Sequence, residues 1–372
     1  MKIKLEKSEL TLSSMRSHGV ILEKTLGYFS LKADGNELHL IIADRVLIIH
    51  NVVRCEIITP GEAFVPARFF LDVIKELPDG LVKLEKAGPN LVVTAGAKDE
   101  FVIKIPLIEG KQWRPVPRVA SENGTVVPAS VMSYMISQTH FCIAHEAARN
   151  YGSVGYLHKL SDNKLRLVGT DGYRLSYAEA QIETPNTFLS QGICLSKRAL
   201  LELQKMCNEG FETLNISISP DNTVLQASVP DYSIFVRLSS IKYPNYQGVL
   251  PKNNSATVEL SRPNFQNATK RVLLASDKTN AVQLCFSEHL LTLASKASGG
   301  SEGKEDIFLQ DFSGEKKTIS VNGKFLVDVF STVQSDVVNV GMNGEIDPIV
   351  IIPKSEPKNC HSLHVLVPIR EA

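Results

Sequence analysis

Two short segments contain the residue types that could carry out acid–base or metal chemistry. The first, H-F-C-I-A-H-E, places His140, His145 and Glu146 within one short stretch, and imidazole and carboxylate groups are common metal ligands and proton carriers. Two histidines with no third ligand at a metal-binding spacing are more often structural. The sequence therefore predicts no metal centre and no cofactor.

The second segment is the triplet T-D-G, in which Asp171 follows an apolar run. This carboxylate could bind a metal or act in phosphoryl transfer. The alternative is a tight turn, in which Asp171 accepts backbone N–H groups and Gly172 takes a positive φ. The sequence lacks the motifs for nucleotide binding, for nucleophilic serines and for zinc proteases. An enzyme that uses Asp171 and His145 stays as an alternative, and we expect a protein without catalytic residues.

One pattern occurs three times, as V-P-A-R-F-F-L-D-V, L-S-K-R-A-L-L-E-L and V-N-G-K-F-L-V-D-V. Arg68, Arg198 and Lys324 share one position of the pattern, which recurs after 130 and then 126 residues. The period is close to one third of the 372-residue chain, so we expect three similar units. The predicted units are residues 1–120, 125–248 and 249–372.

The repeated pattern predicts a helix in each unit, because apolar residues occur at i, i+3, i+4 and i+7, as in Phe70, Val73, Ile74 and Leu77. Alternating runs such as L-V-K-L-E-K and V-V-N-V-G-M predict strands after it. The predicted fold class is α+β, with three repeated domains whose helices lie on one face of antiparallel sheets. An earlier helix is expected in each unit, over residues 8–16, 129–139 and 261–274.

The outward side of the repeated helix carries charged residues. One interpretation is a solvated face with weak ion pairs, and the other is a positive surface that contacts phosphates. Forty basic and forty acidic residues give a net charge of zero, so a positive surface would need charge segregation. The charged positions are Arg68, Asp72 and Lys75, then Arg198, Glu202 and Lys205, then Lys324 and Asp328, and neighbouring helices could add Arg16, Arg262, Lys270 and Arg271.

Hydropathy and cysteine placement indicate the cellular compartment. The sequence has no apolar run of the roughly 18 residues that a membrane helix needs. Its six cysteines are far apart and form no C-x-x-C pair, so we expect free thiols. We therefore expect a cytoplasmic protein with no membrane partner.

Five segments carry a family resemblance. They are V-P-A-R-F-F-L-D-V-I-K-E-L-P-D-G (65–80), F-C-I-A-H-E-A-A-R-N-Y (141–151), L-V-G-T-D-G-Y-R-L (167–175), Y-P-N-Y-Q-G-V-L-P (243–251) and V-L-V-P-I-R (365–370). The segments resemble those of the bacterial sliding clamps, the beta subunits of DNA polymerase III. With the threefold repeat, the resemblance covers essentially the whole chain.

The resemblance implies three DNA-clamp domains per chain and a head-to-tail homodimer that closes into a ring around duplex DNA, without reading the base sequence. It also implies that a clamp loader opens the ring and that the ring tethers the replicative polymerase. A clamp is a non-catalytic subunit of the DNA polymerase III holoenzyme, which is a nucleotidyltransferase. A monomeric peptide-binding adaptor with the clamp fold is the alternative.

The resemblance further implies a hydrophobic pocket between the second and third domains. Such a pocket binds short linear motifs of the polymerase alpha subunit, the clamp loader, other polymerases and repair proteins. Core packing is the alternative for Leu175 and Val249. Gly152 and Gly248 stand where many clamps have larger residues, and Glu371 adds a negative charge, so the motif preference stays open. By motif, the pocket residues are Arg149, Thr170, Gly172, Tyr173, Arg174, Leu175, Pro244, Val249, Asn322, Phe325, Ile346, Pro348, Val367, Pro368, Ile369 and Arg370.

For DNA binding, the resemblance points to Lys24, Asn150 and Tyr151. The repeated helix adds Arg68, Arg198 and Lys205 as DNA-binding candidates.

For the dimer, residues 100–106 and 271–276 are the expected facing edges. Lys98 could face an acidic loop, or that loop could be a flexible hairpin end without a partner. The apolar centre of the interface is expected at Phe101, Ile103, Leu274 and Ala275, and the acidic residues of the loop are Glu302, Glu305 and Asp306.

Overall fold

The computed structural model describes residues 1–21, 27–113, 115–119, 124–144, 151–160, 163–185, 188–189, 191–310 and 312–369. Contacts divide the chain into two compact units, Met1–Val127 with Gly210–Leu238, and Pro128–Glu209 with Ser239–Ala372. None of the helices in the described residues is long and apolar enough to cross a membrane.

Each third of the chain repeats one order of helices and strands. The first third contains β1 (Lys2–Glu6), α1 (Lys7–Met15), α2 (His18–Ile21), β2 (Tyr28–Asp34), β3 (Glu37–Ala43), β4 (Leu47–Arg54), β5 (Glu56–Thr59), β6 (Gly61–Pro66), α3 (Ala67–Glu76), β7 (Leu81–Ala87), β8 (Asn90–Ala95) and β9 (Phe101–Pro106). The middle third contains β10 (Gly124–Pro128), α4 (Ala129–Ser137), β11 (Val154–Lys159), β12 (Lys164–Thr170), β13 (Arg174–Gln181), β14 (Ile193–Ser196), α5 (Lys197–Cys207), β15 (Thr213–Ile218), β16 (Val224–Val229) and β17 (Tyr232–Arg237). The last third contains β18 (Ala256–Ser261), α6 (Arg262–Leu273), β19 (Ala281–Ser287), β20 (Leu290–Lys296), β21 (Glu302–Phe308), β22 (Phe312–Ser313), β23 (Lys317–Asn322), α7 (Gly323–Thr332), β24 (Val337–Met342), β25 (Ile349–Pro353) and β26 (Cys360–Leu366).

The first unit contains two antiparallel sheets. One has the strand order β5-β1-β7-β8-β9, which leaves β9 at its edge. The other has the order β10-β15-β16-β17-β4-β3-β2-β6. In this second sheet β17 pairs with β4, and Ile234 lies opposite Ile49. Strands from two different thirds of the chain therefore continue one sheet.

The second unit repeats this arrangement. Its nine-stranded sheet has the order β14-β11-β12-β13-β26-β25-β24-β18-β22, and its four-stranded sheet has the order β21-β20-β19-β23. Strand β13 pairs with β26, with Leu175 opposite Val365. Strand β21 lies at the edge of the smaller sheet.

The predicted helices form because their apolar stripes are buried against the sheets. Phe70, Val73 and Ile74 of α3 are all buried, and so is Leu77 directly after the helix. The three earlier helices α1, α4 and α6 lie where the sequence predicts them, within two residues at either end. The α+β fold class with repeated helix and sheet units is confirmed.

The interpretation of the charged stripe as a solvated face is wrong in part. Glu202 is 4% exposed, although it occupies a charged position of the stripe. Three of the basic residues considered for a phosphate surface are also engaged within the protein. The Arg16 guanidinium lies 4.5 Å from the Tyr232 ring centroid, Arg262 donates to the carbonyl oxygens of Phe330 and Ser335, and Arg271 pairs with Glu305.

Candidate functional site

The turn between β12 and β13 is fixed by its own polar side chains. The Asp171 Oδ1 atom accepts the backbone N–H groups of Tyr173 and Arg174 at 3.0 and 3.1 Å. Gly172 has φ +91°, a conformation that favours glycine, and its N–H donates to Thr170 Oγ1 at 3.1 Å. The turn interpretation of the T-D-G triplet is thus confirmed, because the Asp171 carboxylate orders the turn.

Arg174 is the central charged residue of this region and is 9% exposed. Its guanidinium donates to Asp171 Oδ2 at 3.0 Å and to Asp328 Oδ2 at 2.6 Å, and it also donates to the Phe141 carbonyl oxygen at 2.8 Å. The aromatic rings of Phe141 and Phe325 lie 5.5 and 4.2 Å from its carbon Cζ. Arg174 therefore joins β13 to helix α7 and forms part of a wall rather than offering a free charge to a ligand.

Exposed apolar side chains occur on four of the segments that carry pocket candidates. Tyr173 is 69% exposed, Val249 57%, Ile346 68% and Val367 43%. The Val367 N–H donates to the Tyr173 carbonyl oxygen at 3.0 Å, which places the end of β26 beside the turn. Large apolar groups left exposed in this way are typical of a surface that binds another apolar group.

The segment after β26 is bound to β23, the strand that leads into α7. Asn322 caps α7, because its side-chain oxygen accepts the Lys324 N–H at 3.0 Å. The Ile369 N–H donates to the Ser320 carbonyl oxygen at 2.7 Å, which fixes the segment of Val367, Pro368 and Ile369 next to β23.

Leu175 and Val249, for which core packing was the alternative to a pocket role, differ in burial. Leu175 is 5% exposed and packs in a small core with Val168, Tyr177, Tyr246 and Val365, so core packing describes it. Val249 is exposed, as expected for a pocket residue. Two apolar residues that the resemblance assigns to the pocket thus have different environments.

The other pocket candidates lie on two connecting segments or outside the described residues. Pro244 and Val249 lie on the connector before β18, and Ile346 and Pro348 lie on the loop between β24 and β25. Arg149 and Arg370 lie outside the described residues, as do Lys24, Asn150, His145 and Glu371.

The sequence analysis used segment 243–251 for the family resemblance, but it did not predict that tyrosines anchor the connector Tyr243–Val249. The Tyr243 ring stacks on Tyr156 at 4.9 Å, and Tyr156 stacks on His158 at 4.8 Å. The Tyr246 hydroxyl meets His158 Nε2 at 2.8 Å and Arg166 Nη1 at 3.2 Å. Two tyrosines three residues apart in Y-P-N-Y are the signal that could have indicated an anchored connector.

The DNA-binding candidates are only partly exposed. Arg68 is exposed on α3, and Arg198 is half-buried on α5. Lys205 donates to Glu202 at 2.7 Å. Tyr151 is 40% exposed, and its hydroxyl lies 3.9 Å from the position that a Cβ on Gly172 would occupy. Tyr151 therefore borders the turn between β12 and β13.

The candidate dimer residues lie at strand and helix ends. Phe101 and Ile103 are half-buried on β9, and Leu274 is 87% exposed just after α6. Ala275 lies close to Gly303 of β21. The sequence analysis missed Val102 and Phe308, which are 56% and 86% exposed at these two edges.

The acidic residues Glu302, Glu305 and Asp306 lie on a regular strand, so the alternative of a flexible hairpin end is wrong for them. Residues Glu302–Phe308 form β21, paired along its length with β20. Glu302 forms an ion pair with Lys296, and Glu305 forms one with Arg271. Lys98 makes a backbone hydrogen bond to Glu100 within its own turn.

The described residues contain no group of three or more histidine, cysteine or acidic side chains that could hold a metal ion. All six cysteines are free thiols. Burial raises the pKa of the Cys142 thiol to about 12 and that of Cys194 to about 11, so neither is poised as a nucleophile at neutral pH.

Comparison with known proteins gives matches over nearly the whole chain. Family models for the N-terminal, central and C-terminal domains of the DNA polymerase III beta subunit match residues 1–108, 126–245 and 247–370. The beta sliding clamp of Salmonella typhimurium is 25% identical over 84% of this chain and 82% of its own. That of Escherichia coli K12 is 25% identical over 92% of this chain and 89% of its own.

Solved structures agree with this match in fold. The DNA polymerase III subunit beta of Pseudomonas aeruginosa has a TM-score of 0.91 at 23% identity, with both chains fully covered. A second structure of the Pseudomonas clamp, bound to griselimycin, has a TM-score of 0.91 at 22% identity over all of both chains. The beta subunit of Thermotoga maritima has a TM-score of 0.89 at 24% identity, again with both chains fully covered.

Proposed function

This chain belongs to the DNA polymerase III beta subunit family, and from that premise we propose that it is a sliding clamp, which closes around duplex DNA as a homodimer and holds the replicative polymerase there. The clamp has no catalytic residues of its own. We propose that its three domains are residues 1–120, 125–248 and 249–372. We expect it to act in the cytoplasm, where bacterial DNA is replicated.

The observation that carries this proposal is the way in which strands from different thirds pair. Strand β4 of the first third pairs with β17 of the second, and β13 of the second pairs with β26 of the third. By position in the repeat, β21 of the last third is equivalent to β4 and β13, and β9 of the first third is equivalent to β17 and β26. These two strands are left without such a partner in the described part of the chain. Among the described residues, no strand pairs with the outer edge of either. A second copy of the chain can satisfy both edges, which gives a closed head-to-tail dimer with six domains.

The exposed side chains of the two edge strands support one register. Leu309 donates its backbone N–H to His289, so the N–H of Phe308 points toward the free edge of β21. If β9 of one copy pairs antiparallel with β21 of the second copy, side chains on the same face of the sheet lie opposite each other. Lys104 can then lie opposite Asp306 of the second copy. The same register places Val102 opposite Phe308 and Ile103 opposite Ile307 of the second copy. It therefore pairs opposite charges and covers two exposed apolar side chains.

Binding to DNA is proposed to be independent of sequence. The net charge of the chain is zero, so attraction to phosphates must come from local basic residues. Arg68 and Lys324 are exposed at the repeated helix position, and Arg198, Lys205 and Tyr151 are further candidates. Such contacts hold the phosphate backbone without reading the bases. Topology rather than affinity then keeps the clamp on DNA.

The exposed apolar residues around the β12–β13 turn are proposed to bind partner peptides. Tyr173, Val249, Ile346 and Val367 offer apolar surface, and loop backbone groups beside them can bond an extended segment. The partners are the polymerase alpha subunit, the clamp loader, other polymerases and repair proteins, through short linear motifs. Arg149, Arg370, Lys24 and Asn150 keep their predicted roles as candidates.

The decisive experiment measures retention on DNA together with the solution mass. The protein is loaded on nicked circular DNA, and one half of the sample is then linearised. A clamp stays on circles, leaves linear DNA by its ends and has the mass of two chains. Equal, salt-sensitive loss from both DNA forms with the mass of one chain would instead support the monomeric adaptor.

A further inference from the structure

Tyr246 anchors the connector that carries Val249 on the face of the sheet that presents His158 of β11 and Arg166 of β12. This tyrosine is 5% exposed and begins the single 3₁₀ turn that ends at Val249. The following residue, Leu250, packs against the small core that contains Leu175 and Tyr246. Movement of the Tyr246 ring would therefore displace both Val249 and the support beneath the pocket wall.

The hydrogen bonds of the Tyr246 hydroxyl indicate the protonation state of His158. Arg166 can only donate, so its Nη1 gives a hydrogen bond to the tyrosine oxygen at 3.2 Å. The hydroxyl has one proton, and we assign that proton to the 2.8 Å contact with His158 Nε2. This arrangement requires a neutral His158 whose own proton is on Nδ1.

The surroundings favour the neutral imidazole. The pKa of His158 is lowered from its ordinary value of 6.5, first by burial and then by the nearby Arg166 guanidinium. A hydrogen bond to the Lys159 backbone and, after it, the Glu179 carboxylate act in the opposite direction, but Glu179 is already bound to Arg166 at 2.9 Å. The other polar ring packed on His158 is Tyr156.

We propose that Tyr246 is the positioning residue of the peptide pocket, that neutral His158 holds it in place, and that protonation of His158 releases it and weakens peptide binding. A protonated His158 has no lone pair for the tyrosine proton and puts a second cation beside Arg166. The inference rests on the proposed function of the pocket, which it extends with a dependence on pH.

The test measures binding of griselimycin, the ligand of the solved Pseudomonas clamp, by isothermal titration calorimetry between about pH 5 and pH 8, the range in which histidines titrate. For the unaltered protein, we expect constant affinity at neutral pH and a fall in acid. Tyr246→Phe keeps the ring but loses both hydrogen bonds, so we expect affinity at neutral pH to fall about fivefold, which corresponds to about 1 kcal/mol. The affinity of Tyr246→Phe for griselimycin should depend less on pH than that of the unaltered protein.

His158→Gln is the second variant and does not depend on the stability of Tyr246→Phe. The glutamine oxygen can accept the tyrosine proton at every pH, so neutral affinity should be kept and the acid loss should disappear. His289→Gln, at an exposed histidine on the β19–β20 turn, is the matched control and should retain the acid loss.

The outcomes separate this inference from the function on which it rests. Binding with the same pH profile in the unaltered protein and in His158→Gln would overturn the role of His158. A Tyr246→Phe variant that folds and binds like the unaltered protein would overturn the role of Tyr246. Failure of the unaltered protein to bind griselimycin at any pH would overturn this inference, whereas the sliding-clamp function is tested separately by retention on circular DNA.

Discussion

The Arg174 guanidinium and the Asp328 carboxylate form an ion pair of 2.6 Å between residues that are 154 positions apart in the chain. Arg174 belongs to β13, and Asp328 belongs to α7. The pair therefore ties the turn that carries Tyr173 to the helix that carries Phe325. Both of these aromatic residues border the proposed pocket, so the ion pair holds two sides of it in one arrangement.

Replacement of Asp328 tests this connection. Asp328→Ala leaves Arg174 with the Asp171 carboxylate and the Phe141 carbonyl oxygen, and the Asp328 side chain is 45% exposed, so solvent reduces the loss. We expect the free energy of unfolding to fall by about 1–2 kcal/mol and the affinity for a pocket ligand to fall as well. Urea unfolding and ligand titration measure the two effects.

Asp336→Ala is the control for that substitution, because Asp336 is 88% exposed and lies 3.6 Å from Arg262. It should change stability by less than about 0.5 kcal/mol. If Asp328→Ala behaved like Asp336→Ala in both measurements, the ion pair would not support the pocket.

The first unit should lose stability in mild acid because of His50. Burial, and after it the neighbouring His39, lower the pKa of His50 to about 4 from the ordinary 6.5. Above pH 6.5 both the folded and the unfolded states hold this histidine neutral, and its full contribution is present. As the pH falls from 6.5 towards 4, the unfolded chain takes up a proton that the folded chain does not, so the free energy of unfolding decreases. The loss is about 3 kcal/mol for a shift of this size.

The only tryptophan of the chain, Trp113, reports on this loss, because its ring lies 6.4 Å from that of His39 in the same unit. Urea unfolding followed by its fluorescence should show a shallower pH dependence in His50→Gln. His289→Gln should keep the original dependence. A steep acid loss that persists in His50→Gln would assign the effect to other groups.

The repeat and the helices could be predicted from the sequence because both depend on local periodicity. The apolar spacing of Phe70, Val73, Ile74 and Leu77 is sufficient to place α3 and its buried side. The T-D-G turn could also be predicted, since the side chain of Asp171 satisfies the backbone within its own turn.

Pairing between distant segments could not be predicted in the same way. Nothing in the neighbourhood of Asp328 indicates that its partner is Arg174, and its place in a charged stripe suggests a solvated residue. The burial of Glu202 and the edge position of Phe308 likewise depend on which strands meet. Such contacts are set by the tertiary arrangement, which a local pattern does not contain.

Close packing behind the pocket predicts a sharp difference between two glycines. A Cβ on Gly169 would lie 2.6 Å from the Thr139 carbonyl oxygen, a backbone atom that cannot easily move. Gly169→Ala should therefore destabilise the protein by about 1–3 kcal/mol. Nothing lies within 4 Å of a Cβ on Gly248, so Gly248→Ala should be neutral within about 0.5 kcal/mol. Thermal unfolding of the two variants measures the difference, and equal melting temperatures would contradict it.

The exposed Leu274 should be important for the dimer and unimportant for the fold of one chain. Burial of a leucine side chain contributes about 2 kcal/mol, so Leu274→Ser should raise the dimer dissociation constant about 30-fold. Leu12→Ser, at a residue of α1 that is 49% exposed, is the matched control and should leave the dimer intact. Sedimentation equilibrium measures both. A dimer that is unchanged by Leu274→Ser would place the interface elsewhere.

The register of the ring-closing strands predicts a specific charge pair between two copies. If Lys104 lies opposite Asp306 of the second copy, Lys104→Glu and Asp306→Lys should each weaken the dimer about tenfold at low salt, because like charges then face each other. The double variant should restore the affinity. Lys358→Glu, at an exposed lysine of the β25–β26 loop, should have no effect.

The charge variants also distinguish this register from the neighbouring one. A shift by two residues keeps the same faces together but places Lys104 opposite Lys304 of the second copy. In that register, Lys104→Glu would create an attraction and strengthen the dimer, and Asp306→Lys would not be rescued by it. The direction in which Lys104→Glu moves the dissociation constant therefore decides which residues of β9 and β21 meet.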